Sequence, residues 1–281
     1  FDQDGYLYIL SPKTSEWIKI RAVLRYVTQK PWNRLPFKTK TLIYCPVSIC
    51  LAGARNKLTA AIAYTKFNEQ LPEGLKINIP KTFIQVKKEE IPTCLKKLGS
   101  KAIIKVPYCN AGQGIYVIGC QKALKDFMEK EYEYDSFIVQ ELISQKFSND
   151  NAFHSYFHRG TSPDEKGDRY IADIRMLVVY LPEVGFRPVS IYARKAPSPI
   201  SKTSIPEDYN IKTNLSRNIG KNEWRTEISN LVIMSSEGVD FLGISFRDLI
   251  EAYVQTVLAS LAIDQFAQDI TNEDGTLNKD L

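Results

Sequence analysis

The alternation of apolar and polar positions changes period along this chain, and the changes mark its elements. Thr41–Val47 (TLIYCPV) is a short apolar run ended by Pro46, which predicts a buried strand. Lys57–Gln70 predicts a helix, closed by the turn-forming LPEG. Ile79–Val86 predicts a loop entering a strand. Glu90–Leu98 predicts a short helix, with Pro92 in its first turn and Gly99 just past its end. AIIKVPY, the Gly-bearing NAGQG and IYVIG together predict a hairpin with a flexible tip. Gln121–Lys130 predicts a helix and SFIVQELI a strand. Residues 144–169 are polar and rich in turn formers, as expected of a surface loop. Tyr170–Tyr180 and Phe186–Arg194, joined by LPEVG, predict an antiparallel pair, and a polar stretch over Ala196–Lys221 follows. Two helices are then expected. The first spans Glu223–Ser235, with Gly238 beyond it, and the second opens on the capping pattern Ser245-Phe246-Arg247-Asp248. In the second, Phe246, Leu249, Ile250, Tyr253, Val254, Val257, Leu258 and Leu261 recur at 3–4 spacing, which predicts a core-facing stripe. The order of elements reads as α+β: a small lobe with a hairpin, then a larger lobe on an antiparallel sheet.

Composition narrows the classes. A chain of 281 residues, 44% apolar and 25% charged, can bury one large core or two small ones and is not disordered. A net charge of +5 favours anionic ligands. There is no dense Lys/Arg tract interleaved with aromatics, so no nucleic acid partner is expected. No stretch approaches the roughly 20 apolar residues that span a bilayer, and FDQDGYLYIL is no signal peptide, so no membrane partner is expected. Cys45, Cys50, Cys94, Cys109 and Cys120 form no zinc-type pairs and fit reduced thiols in the cytoplasm. His154 and His158 stand four apart in a loop-like segment with no third ligand, and read as a surface pair.

The chemistry begins at KVPYCNAGQG. Lys105 ends a strand, and Gly112 and Gly114 follow in the turn, where backbone N–H groups can approach phosphate oxygens without a Cβ in the way. A strand follows, not a helix, so this is neither a Walker loop nor a dinucleotide fingerprint. An ordinary hairpin turn beside an edge lysine has the same pattern. In YIADIRMLVVY, Asp173 and Arg175 share one strand face with Ile171, Leu177 and Val179. Two readings stand side by side: an internal ion pair, or Arg175 on a terminal phosphate. IYARK adds Arg194 and Lys195, and TNLSRN adds Asn214 among loop hydroxyl and Arg groups. FIVQEL ends an apolar strand on Gln140 and Glu141, a site for either an adenine edge or a solvated strand end.

The ordered set ARNK, AIIKVPYCNAGQG, FIVQELI, YIADIRMLVV, ARK and TNLSRN runs over roughly residues 40–240 and resembles the ATP-grasp superfamily. The nearest branch is that of the carboxylate–amine ligases that form peptide bonds. The resemblance implies a nucleotide held between two antiparallel sheet lobes, behind a reduced N-terminal pre-ATP-grasp region. It implies a partial pre-ATP-grasp region over residues 1–56, a small lobe over 57–135 and a large lobe over 136–281. Carried over residue by residue, Lys57 and Lys105 would contact the phosphates of ATP. The turn Asn110, Gly112, Gln113 and Gly114 would cover the β and γ phosphates. Gln140, Glu141 and the backbone of Leu142 would meet the adenine edge, and Asp173 would lie near the ribose or phosphates. Arg175 would reach the γ-phosphate, while Arg194 and Asn214 would face the transferring group and the substrate.

The activity so implied is phosphoryl transfer to a carboxylate, then attack by an amine on the acyl phosphate, with a small-molecule or peptide substrate and Mg²⁺ bridging the phosphates. An ATP-grasp kinase, or a nucleotide-binding module without catalysis, would share the same motifs. The metal ligands are unknown. The family's acidic residue on a strand after Gly238-Val239-Asp240-Phe241, and its acid-plus-Asn pair, have no counterpart here. An amphipathic helix and the tail ITNEDGTLNKDL follow instead. Two explanations compete: a fragment whose metal-bearing strand lies beyond Leu281, or a degenerate member that binds nucleotide without turning it over. The lack of an initiator Met favours the fragment, and the expectation is ATP binding with weak magnesium dependence and little ligase activity.

Overall fold

The structure, a computed structural model, describes residues 2–24, 39–44, 56–107, 114–143, 160–200, 231–273 and 278. The chain divides into two compact units, Phe1–Gln70 with Leu261–Leu281, and Leu71–Ser260.

In the first unit, β1 (Asp2–Gln3), β2 (Tyr6–Leu10) and β3 (Trp17–Lys19) form a three-stranded antiparallel sheet. Beside them β4 (Ala22–Leu24) and β5 (Leu42–Tyr44) run parallel. Buried Thr41 joins the two sheets. Its hydroxyl accepts from the Leu7 N–H at 2.9 Å and donates to the Ile20 carbonyl at 2.8 Å. The strand expected at Thr41–Val47 is therefore present over Leu42–Tyr44, but Leu42 is exposed. Helix α1 (Lys57–Glu69) starts on Asn56, whose side-chain oxygen accepts from the N–H groups of Leu58 and Thr59. Its Ala63 packs on Phe266, Ala267 and Ile270.

The second unit holds two antiparallel sheets. The first has the order β6 (Thr82–Val86), β9 (Phe137–Glu141), β7 (Ala102–Lys105), β8 (Ile115–Ile118). Helices α2 (Ile91–Lys97) and α3 (Gln121–Glu129) cover one face. The core there joins Ile91, Leu95, Ala102, Ile104, Phe127, Phe137 and Val139, all nearly inaccessible. Tyr116, Phe127, Tyr132 and Phe137 pack edge to face or stacked around it, and burial pushes the Tyr132 phenol up to about 12. The predicted hairpin is the β7–β8 pair, in register from Ala102↔Ile118 to Lys105↔Ile115.

The second sheet has the order β10 (Tyr170–Leu181), β11 (Gly185–Pro199), β12 (Leu231–Ile233). The long β10–β11 hairpin matches the expected antiparallel pair. The helix expected over Glu223–Ser235 is corrected at its end. Leu231–Ile233 pairs with Tyr192–Arg194 as a strand, and the helix that follows, α4 (Ser236–Leu242), contains Gly238. Three apolar residues are too few for the period to tell strand from helix.

Helix α5 (Phe246–Asp269) starts with the predicted capping box: Ser245 Oγ accepts from the Asp248 N–H, and the Asp248 carboxylate accepts from the Ser245 N–H at 2.7 Å. Tyr253 donates to the Phe186 carbonyl at 2.8 Å, and the Gln255 side chain accepts from the Asn78 N–H at 2.7 Å. The core-facing stripe predicted on α5 is only partly so. Phe246, Ile250, Val254 and Leu261 lie 77%, 49%, 44% and 40% exposed, while Ala262, Phe266 and Ala267 supply its buried contacts. Among the described residues, no helix is long and apolar enough to cross a membrane.

Candidate functional site: two cation-bearing sheet faces

Strand alternation sorts the first sheet into two chemistries. Ala102, Ile104, Phe137 and Val139 point toward α2 and α3. The pairings Lys105↔Ile138, Ile103↔Gln140, Lys105↔Ile115 and Thr82↔Gln140 put the other set on the opposite face. That face carries Ile103, Ile115, Val117 and Ile138 with three polar side chains among them: Lys105, Gln140 and Thr82. Lys105 is half-buried. Its Nζ donates to Gln140 Oε1 at 2.6 Å. Gln140 Nε2 donates to Thr82 Oγ1 at 2.8 Å, and the Thr82 hydroxyl donates to the Pro80 carbonyl at 2.7 Å. Gly114, directly before β8, has φ +63°, the left-handed region that glycine enters without a Cβ clash. Its carbonyl accepts from the Val106 N–H at 2.8 Å. Asn110, Gly112 and Gln113 lie outside the described residues.

Glu141 belongs to the other side of its strand and is 4% exposed, so it is not a solvated strand end. Its carboxylate accepts from the Lys81 N–H at 3.4 Å, and its own N–H donates to the Lys81 carbonyl at 2.8 Å. These bonds tie β9 to the entry of β6. Leu142, 1% exposed, is the first residue past the strand.

On the second sheet, Asp173 stands opposite Arg194, and Arg175 opposite Tyr192. The Asp173 carboxylate holds both guanidinium groups. Arg194 donates from Nη2 to Oδ2 at 2.6 Å and from Nε to Oδ1 at 3.2 Å. Arg175 donates from Nε to Oδ2 at 3.2 Å, with Nη2 at 3.1 Å. The two arginines differ in setting: the Arg194 side chain is 7% exposed and that of Arg175 45%. The ion pair weighed in the sequence exists, and Arg194 shares its carboxylate. Leu177 and Val179, expected on the same apolar row, are exposed at 46% and 39%. Lys195 lies opposite Ala172 on the other face, its Nζ 4.4 Å from the Tyr170 ring centre. Tyr170 in turn donates to Asp164, whose carboxyl is held below its usual range first by the Asp168 N–H and also by this phenol.

Lys57 is the first residue of α1, in the other compact unit, where a cation opposes the helix dipole. Asn214 lies outside the described residues. Sequence reasoning missed Thr82. No local signal marks it, because its role depends on pairing with Gln140, 58 residues away. Among the described residues no cluster of three or more His, Cys, Asp or Glu side chains is placed to hold a metal ion.

No family model matches this sequence, and no curated protein matches it. Solved structures do. One is the ADP complex of purK, N5-carboxyaminoimidazole ribonucleotide synthetase, at 8% identity and a TM-score of 0.37, over 55% of this chain and 32% of that one. Another is a RimK domain protein ATP-grasp from Sphaerobacter thermophilus, at 14% identity and a TM-score of 0.41, over 92% of this chain and 86% of that one. The chain spans about a third of the length of the first. Both superpositions are loose, so the function below rests on this chain's own residues.

Proposed function

We propose that this chain is an ATP-grasp protein that binds ATP and acts as an ATP-dependent carboxylate–amine ligase. The observation that carries the reading is Lys105: a half-buried ammonium at a strand end, on a largely apolar sheet face, paired with Ile115 next to Gly114. Apolar side chains suit the flat faces of a nucleobase, and a fixed ammonium suits phosphate oxygens. The Gln140 side chain is engaged by Lys105 and Thr82, and the Glu141 carboxylate by Lys81. In this reading the adenine edge is therefore met by backbone at Leu142, not by those side chains.

On the second sheet Arg175 does the phosphate work. Its Nε and Nη2 rest on Asp173, which aims the guanidinium, and nearly half of the side chain remains open. Arg194 is the buried anchor of the trio. A γ-phosphoryl group passes to a substrate carboxylate oxygen as the bond to ADP breaks. An amine then attacks the acyl carbon, and phosphate leaves. The chain supplies position and positive charge; no side-chain nucleophile is needed. The described residues offer Mg²⁺ no ligand cluster, so no step is assigned to it.

The test is calorimetry with ATP on wild type and Lys105→Ala. Loss of a charge-assisted contact should cost about 1.5–3 kcal/mol, roughly a 10- to 150-fold weaker Kd. Lys105→Arg should recover only part of it, because a guanidinium fork is wider than an ammonium. Equal affinity in wild type and Lys105→Ala would sink the assignment. Product analysis with pools of amino acids, peptides and polyols then separates ligase from kinase, since a kinase leaves the phosphoryl group on its acceptor.

A further inference from the structure

We infer that Thr82 is a positioning residue: it sets the orientation of the Gln140 amide and, through it, the place of the Lys105 ammonium. The inference rests on the nucleotide site proposed above. Its basis is the direction of three hydrogen bonds in a row. A carbonyl can only accept, so the single proton of the Thr82 hydroxyl is committed to the Pro80 carbonyl, 2.7 Å away. Toward Gln140 that hydroxyl can then only accept. The amide must present Nε2 to Thr82, at 2.8 Å, and its oxygen therefore faces Lys105. An ammonium can only donate, and it does so to that oxygen at 2.6 Å. A flipped amide would set its NH₂ against the ammonium and its oxygen against a hydroxyl whose proton is already given away. Each link forces the next, from a backbone carbonyl to the cation.

The geometry supports the same order. Thr82 stands opposite Gln140 in the β6–β9 register, and Ile103 stands opposite Gln140 in the β9–β7 register, two residues before Lys105 on the same face. Thr82, Gln140 and Lys105 thus cross three neighbouring strands on one side of the sheet. Because Thr82 opens β6, its hydroxyl can reach back to Pro80 in the entry loop while its Cβ stays in the ladder. Valine has the same shape and no hydroxyl, so Thr82→Val breaks the relay and leaves the strand's steric fit intact.

The experiment is ATP calorimetry and thermal melting on wild type, Thr82→Val, Thr82→Ser, Gln140→Leu and the double variant Thr82→Val/Gln140→Leu. Thr82→Val should weaken ATP binding about three- to tenfold, the scale of one hydrogen bond. Thr82→Ser, which restores the hydroxyl, should recover most of the loss. In the Gln140→Leu background, Thr82→Val should add nothing, because its effect travels through that amide. Wild-type affinity in Thr82→Val would overturn the inference and leave the nucleotide site standing. So would losses that add independently in the double variant, or a loss in Thr82→Ser as large as in Thr82→Val. Absence of ATP binding by the wild type would sink the nucleotide site, and this inference with it.

Discussion

Removing Asp173 and removing Arg175 should do different damage. Asp173 supplies two hydrogen bonds to Arg194, whose side chain is 7% exposed. A buried guanidinium that loses a carboxylate keeps its desolvation cost without that attraction, which in fully buried pairs costs about 3–5 kcal/mol. Asp173 is itself 32% exposed, and solvent screens part of the pair, so about 2–3 kcal/mol is the expected loss for Asp173→Ala. For a unit of this size that is a fall in Tm on the order of 5–10 °C. Arg175→Ala breaks a pair exposed at 45% and 32%, worth at most about 1 kcal/mol and a few degrees. Its cost should appear in catalysis. A γ-phosphate contact strengthens as charge moves, so turnover should fall more than ATP affinity does. The assay is a thermal melt of each variant beside its ATP Kd and its ADP production per folded molecule. Salt gives an internal control: raising it should weaken the exposed Arg175 pair and leave the buried Arg194 pair largely intact. A Tm loss from Arg175→Ala equal to that from Asp173→Ala, with turnover unchanged, would refute the division of labour and return Arg175 to a purely structural role.

Two further outcomes follow from the same unit. Gly238→Ala should destabilise strongly, by more than about 3 kcal/mol, because a Cβ there would run into the Ile233 carbonyl oxygen, which is backbone and cannot swing aside. A melt indistinguishable from wild type would show that β12 and α4 do not meet this way. Asp164, held below its usual range chiefly by the Asp168 N–H, contributes stability that is present above its unfolded pKa near ~3.9 and lost as pH falls through its lower folded value. The Tm gap between wild type and Asp164→Asn should therefore be full at neutral pH and close as pH drops below about 4; a gap constant down to acid pH would contradict it.

What the sequence revealed and what it hid follow from the range of the interactions. The β7–β8 and β10–β11 hairpins were legible because each strand's partner lies a few residues away and turn-forming residues stand between. The capping box at Ser245 was legible for the same reason. The pairing of β6 with β9 was not, because nothing local ties Thr82 to Gln140, and with it went the relay to Lys105. β12 was hidden inside an expected helix, since Leu231–Ile233 fits either period. The stripe on α5 shows the limit of periodicity: spacing told that the apolar residues share a face, but not what that face packs against, and Phe246, Ile250 and Val254 are exposed. Glu141 failed as a solvated strand end because its burial depends on Lys81, which comes from another strand's approach.

The two sheets treat their cations differently, and the difference bears on the chemistry. Gln140 holds Lys105 through an amide oxygen, which orients the ammonium without cancelling its charge. A carboxylate at the same place would bind the ammonium more tightly and compete with any phosphate for it. On the other sheet, the Asp173 carboxylate accepts from both Arg175 and Arg194. The exposed member of the trio is Arg175. Both sheets thus hold a cation in a fixed place. An anion with several oxygens could engage such positioned cations, which is what the proposed ATP site requires.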